Sequence, residues 1–238
     1  MRIKKEDITA LEKIASRLNI PAEFGPYDDS DDCAQFEDVR DQVEKIMGNE
    51  NFFIGEGCTK YVIIPNSLNA VIKIPFSGMW TDDCDEEEDS FHPFEYANDL
   101  YNSFASEWDY CENELIKYDM AVEAGFEEFF AETALLGTFH GRKFYIQEKV
   151  TAFVDKAATE VTPSEDSKKK YEDNRNKLVY INKDWMALAI EWYGLEKVIE
   201  FCAFLRDFNL SQDLHTGNIG FAEDGRPVLL DFSGYRED

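Results

Sequence analysis

The segment Asp213-Leu214-His215-Thr216-Gly217-Asn218, followed by Asp231-Phe232-Ser233-Gly234, carries the residue types best suited to chemistry. Two carboxylates and an amide oxygen are hard donors, of the kind that take magnesium or handle a proton. The runs Ile219-Gly220-Phe221 and Val228-Leu229-Leu230 flank Glu223-Asp224-Gly225-Arg226 and predict a β-hairpin with an Asp-Gly turn. Such a hairpin brings Asn218 and Asp231 to the same end. Two weaker signals lie upstream. Gly55-Glu56-Gly57 would expose backbone N–H donors that suit phosphate oxygens, and would equally make an ordinary glycine turn. Lys73, within Val71-Ile72-Lys73-Ile74, points to one face of a strand while its neighbours point to the other. Alone, it reads as a surface lysine with a buried stem. Its place shortly after a glycine hairpin is more specific, because the two elements are then adjacent strands.

The elements that must position these residues can be read from periodicity. Residues 5–18 predict an amphipathic helix, with Ile8, Leu11, Ile14, Ala15 and Leu18 at helical spacing, and a second helix is expected over 34–47. The runs at 52–54, 61–64 and 70–74 predict three consecutive antiparallel strands. Residues 82–89 hold seven carboxylates in eight positions and read as a solvated loop, with a docking surface for a basic partner or a DNA-like decoy as the alternative. A helix is expected over 107–124 and a strand over 144–147. The polar stretch 155–177 reads as a linker or a surface excursion, and Gly194 divides 184–209 into two helices. The expected fold class is α+β with two lobes: an N-terminal helical extension (1–50), a sheet-and-helix lobe (51–150) with the acidic insertion 82–89, and a mostly helical lobe (151–238).

Composition narrows the partners. The 238 residues carry 50 acidic and 24 basic side chains, a formal net charge of −26, with 44% hydrophobic residues to build a core. That charge opposes direct binding to a nucleic-acid backbone or an anionic membrane. A bound nucleotide would need a cation or a local basic residue. No run is long and apolar enough to span a bilayer. The five cysteines (Cys33, Cys58, Cys84, Cys111, Cys202) contain no CxxC pair and read as reduced thiols of a cytoplasmic protein.

Taken in order, Gly55-x-Gly57, Val71-Ile72-Lys73, Asp213-x-x-x-x-Asn218 and Asp231-Phe232-Ser233 resemble the protein-kinase-like superfamily over about residues 51–235. The Asp-Leu-His-x-Gly-Asn form is most similar to aminoglycoside phosphotransferases, atypical bacterial kinases and compact phage-encoded serine/threonine kinases. The resemblance implies a two-lobed kinase-like fold that uses ATP and Mg2+. It implies that Gly55 and Gly57 cover the phosphates and Lys73 reaches the α- and β-phosphates. A helix glutamate, Glu114 in preference to Glu112, would hold that lysine. Glu148 to Val150 resembles the hinge that meets adenine. Asp213 would accept or orient the proton of the acceptor hydroxyl, and Asn218 and Asp231 would hold magnesium.

Some positions depart from that pattern. Lys60 stands where a third glycine usually falls, closing the loop or adding a cation near the phosphates. Ser211-Gln212 replaces the usual His-Arg, His215 takes the place of the catalytic-loop lysine, and Ser233 replaces a glycine. The sequence stops seven residues after Asp231, so a minimal C-terminal lobe is expected. The leading expectation is a phosphotransferase acting on a hydroxyl, with protein Ser/Thr as the acceptor. The alternatives are a small-molecule kinase and an inactive pseudokinase whose acidic surface engages a basic protein.

Overall fold

The computed structural model describes residues 2–26, 34–57, 59–82, 89–93, 109–154, 161–208, 210 and 214–232. They form an α+β chain of two compact units. The first holds residues up to Leu115 together with Thr133–Glu148; the second holds Ile116–Glu132 and the chain from Lys149 to Gly234.

The first unit is built on a five-stranded antiparallel sheet in the order β1-β2-β3-β7-β6. Its strands are β1 (Phe52–Glu56), β2 (Lys60–Pro65), β3 (Ala70–Pro75), β6 (Thr133–Phe139) and β7 (Arg142–Glu148). Alternation along them divides the side chains between two faces. One face, with Tyr61, Ile63, Ile72, Ile74, Phe144 and Ile146, forms a core with α1 (Lys5–Ala15) and α2 (Ala34–Met47). Leu11, Ile14, Phe36, Val39 and Val43 supply the helical side of that core. Phe24, Phe36, Tyr61 and Phe76 interlock with ring centroids 5.3–5.7 Å apart. Arg142 ties the chain between the helices to the sheet, donating to the carbonyls of Pro75 and Pro21 at 3.0 and 2.6 Å, with its guanidinium over the Phe24 ring. The segment 1–50, expected as an extension, thus belongs to the same compact unit as the sheet.

Two further strands, β4 (Gly78–Asp82) and β5 (Asp89–Pro93), pair antiparallel, with Asp82 opposite Asp89. The ends of the acidic stretch are therefore in a ladder, not in the loop expected; residues 83–88 lie outside the described residues. Helix α3 (Tyr110–Ala124) follows, starting three residues later than the sequence suggests. Strand β6 has no counterpart in the sequence reading. Its Ala-Leu-Leu-Gly text lacks a clean two-residue alternation because the register shifts between Leu135 and Gly137, the mark of a bulge.

The second unit combines a short 3-10 turn (Glu127–Phe129), the helices α4 (Glu165–Asp173), α5 (Lys183–Tyr193) and α6 (Leu195–Asp207), and a three-stranded sheet ordered β10-β9-β8. The strands are β8 (Val150–Ala152), β9 (Ile219–Ala222) and β10 (Pro227–Leu229). Helix α4 corrects the linker or surface excursion expected over 155–177, of which 155–160 lie outside the described residues. Ser164 caps it by accepting from the Ser167 N–H, Glu165 and Asp166 suit its N-terminus, and Tyr171 is buried. Gly194, at φ +88°, separates α5 from α6 as its sequence position predicts. Phe129 stacks on Phe201 at 4.0 Å, and the buried Trp185 indole donates to the Gly220 carbonyl at 3.1 Å.

Candidate functional site

On the second face of the first unit's sheet, the apolar pattern is broken by lysines. In β3 every residue is buried, including Lys73. Register places Lys73 opposite Val62 in β2 and opposite Tyr145 in β7, so these side chains share a face. Lys60, two residues before Val62, lies on that face as well. Helix α3 meets this face through its acidic residues.

Glu114 is the centre of the arrangement. Its carboxylate is fully buried; one oxygen accepts from Lys73 Nζ at 2.7 Å, and the other accepts from Lys60 Nζ. Both lysines are almost wholly buried. Two ammonium groups held on one carboxylate form a charge cluster whose geometry is set from three elements. Glu112 points elsewhere, pairing with Lys143 at 2.7 Å at the surface. The structure therefore sets Glu114, not Glu112, on Lys73. Lys60 is drawn onto the same carboxylate instead of reaching out from the glycine turn.

The start of α3 is fixed by residues the sequence reading did not single out. Asp109 Oδ1 accepts from the N–H groups of Cys111 and Glu112 at 2.9 and 3.0 Å, an N-cap. Asp109 Oδ2 accepts from the Tyr145 hydroxyl at 2.6 Å. Burial pushes the Asp109 carboxyl above its ordinary value, with the Tyr145 hydroxyl and the helix N–H groups pulling partly the other way. Burial, and then the bond to Asp109, pushes the Tyr145 phenol strongly up. The neighbouring Cys111 thiol is also pushed well up, first by burial and then by the Glu114 charge, so it is inert as a nucleophile. Asp109 was visible in sequence as a cap: Asp109-x-x-Glu112 just before a helical run is a start signal.

Gly55 and Gly57 lie at the β1–β2 connection. Gly55 is within β1, opposite Val62, and the Gly57 N–H donates to the Lys60 carbonyl at 3.2 Å. Glu148 ends β7 and its carboxylate accepts from Arg2 Nε at 3.1 Å, tying the start of the chain to the segment expected to be the hinge. Val150 opens β8 in the second unit, opposite Ala222.

In the second unit, β9 and β10 form the expected hairpin, with Gly225 at φ +86° in its turn. Gly220 is obligatory within it: a Cβ there would lie 2.3 Å from the Thr151 carbonyl oxygen of the paired β8. Beyond the ladder, the N–H groups of Leu230 and Asp231 both point to the Asn218 carbonyl, at 3.0 and 3.5 Å. The hairpin thus brings Asn218 and Asp231 together at one end. His215 closes the turn before Asn218, its Nδ1 accepting from the Gly217 N–H at 3.0 Å and its carbonyl from the Asn218 N–H at 2.9 Å. Asp213 lies outside the described residues. Among the described residues, no group of three or more His, Cys, Asp or Glu side chains could hold a metal ion. No helix among them is long and apolar enough to cross a membrane.

No protein-family model and no curated protein matches the chain. Among solved structures it is similar to the streptomycin-ATP-APH(2")-IIa ternary complex, at 13% identity and a TM-score of 0.34, over 87% of this chain and 73% of that one.

Proposed function

We propose that this chain is a kinase-like phosphotransferase that uses Mg–ATP and carries the γ-phosphoryl group to a hydroxyl, with a protein serine or threonine as acceptor. The observation that carries the reading is the buried Lys73–Glu114 ion pair. It joins the third strand to the helix after it, the pairing by which kinases hold the lysine that binds the α- and β-phosphates. A buried lysine is costly unless it is paired, and pairing on a fixed helix leaves its position well defined.

The glycines support the same reading. Neither Gly55 nor Gly57 has a left-handed φ, and a Cβ built on either meets nothing closer than 3.5 Å. The fold does not itself demand glycine there, whereas phosphates lying close over the backbone would. The hairpin supports it too. Asn218 and Asp231 offer two oxygen donors at one end, a set that fits magnesium, which keeps several waters and takes few protein ligands. Magnesium, when bound, would neutralise phosphate charge, which matters on a chain of net charge −26.

The protein's own residues have the following roles. Glu114 holds Lys73, and Lys73 binds phosphate oxygens. Lys60 shares Glu114 and adds positive charge beside it. The Glu148–Val150 backbone meets the adenine. Asp213 takes the proton of the acceptor hydroxyl as its oxygen bonds to the γ-phosphorus. The bond from that phosphorus to the β–γ bridging oxygen breaks, and ADP leaves.

A thermal shift with Mg–ATP, followed by phosphate transfer from radiolabelled ATP, tests the proposal. Stabilisation by millimolar Mg–ATP is expected, with transfer lost in Asp213→Ala and Asp231→Ala. Absence of any nucleotide-dependent stabilisation refutes it. Binding without transfer would favour an inactive acidic module that engages a basic protein.

A further inference from the structure

We propose that Asp109 and Tyr145 are positioning residues: together they latch the first turn of α3 to the sheet and thereby set Glu114 on Lys73. The inference rests on the nucleotide-site reading given above and identifies what holds that site in place.

Three observations converge. Tyr145 is the register partner of Lys73, so the strand position beside the lysine is the one that reaches the helix. A cap needs one oxygen, yet Asp109 uses both, one for the helix N–H groups and one for the Tyr145 hydroxyl. That hydroxyl is part of a side chain with only 1% of its surface exposed, and Asp109 is its acceptor. Glu114 follows Asp109 by five residues, about one and a half helical turns. A helix start fixed to β7 therefore fixes the rotation at which Glu114 faces β2 and β3. The nearby Glu112–Lys143 pair cannot do this work, because both side chains are about 40% exposed and such pairs hold little.

Cys111 offers a readout independent of nucleotide. It is fully buried in the first turn of α3, next to the latch, so loosening that turn exposes its thiol. The variants are Tyr145→Phe, Asp109→Ala and Asp109→Asn, with Lys143→Ala as control, each examined well below its melting temperature. Native-state alkylation of Cys111, followed by peptide mass spectrometry, should accelerate about tenfold or more in Tyr145→Phe and Asp109→Ala. Asp109→Asn keeps an oxygen for the cap and an amide N–H for the phenol oxygen, and should retain most of the protection. Lys143→Ala should label as wild type. The Kd for Mg–ATP should rise about fivefold to tenfold in the two loosened variants and recover in Asp109→Asn.

Cys111 labelling unchanged in both loosened variants would overturn the latch, whether or not nucleotide binds. Faster labelling with an unchanged Mg–ATP Kd would overturn its positioning role. A wild-type protein that binds no Mg–ATP would refute the proposed function and the latch's role in it, while labelling would still decide whether the latch holds the helix.

Discussion

The two faces of the five-stranded sheet are made by alternate residues of the same strands, yet they hold their helices by different physics. Ile72 faces α1 and α2 in an apolar, interlocked core; Lys73, the next residue, faces α3 and meets a carboxylate. The first face works through buried area, which is additive and tolerant of small shifts. The second works through hydrogen-bonded charges, which are satisfied only when the helix sits in one place and are costly when it does not. A protein that needs both stability and a defined ammonium position obtains them from a single strand by using its two sides differently.

Removing the shared carboxylate should break the comparison hardest. Glu114→Ala leaves two buried ammonium groups without it and should cost about 3–5 kcal/mol in urea denaturation, the cost of breaking a buried ion pair. Ile72→Ala, on the other face, should cost about 2–5 kcal/mol by cavity formation while the folded variant keeps its Mg–ATP affinity. Lys73→Met should do the reverse. Glu114 still has Lys60, so the stability loss should be smaller than for Ile72→Ala. The Mg–ATP Kd should nevertheless rise about tenfold to a hundredfold, the worth of a hydrogen bond to a charged group. If the adjacent variants lose affinity only in proportion to stability, the division of labour between the faces is wrong.

Much of this arrangement was legible locally. The strand text around Lys73, the helix ends marked by Gly48 and Gly194, and the hairpin with its Asp-Gly turn follow from patterns within a few residues. The bulged β6 escaped because its alternation is broken at Gly137. Helix α4 escaped because its polar text hides one buried aromatic, Tyr171, and its Ser164 cap was the missed clue. The site's long-range contacts were harder to see. Lys60 meets Glu114 across 54 positions and Tyr145 meets Asp109 across 36. Only the fold makes them neighbours: nothing around Lys60 in the sequence, where it was expected to close the loop or add a cation near the phosphates, reveals a carboxylate on α3.

The smallest expected effect sharpens the contrast by pH, through the Asp109 carboxyl on the charged face. Burial raises the Asp109 carboxyl above its ordinary value of 3.8, so the folded protein binds that proton more tightly than the unfolded chain does. Its contribution to stability is therefore fully present below pH 3.8 and is lost as pH rises through the elevated native value. Asp109→Asn removes this titration while keeping a capping oxygen and a partner for Tyr145. The stability of wild type minus that of Asp109→Asn, from urea denaturation at a series of pH values, should thus be greatest in acid and decline toward neutrality. The matching substitution on the apolar face, Ile72→Val, should give a difference that does not change with pH. A wild-type advantage that instead grows toward neutral pH would mean that the Tyr145 hydroxyl and the helix N–H groups outweigh the cost of burying the Asp109 charge, and that the latch is strongest when ionised.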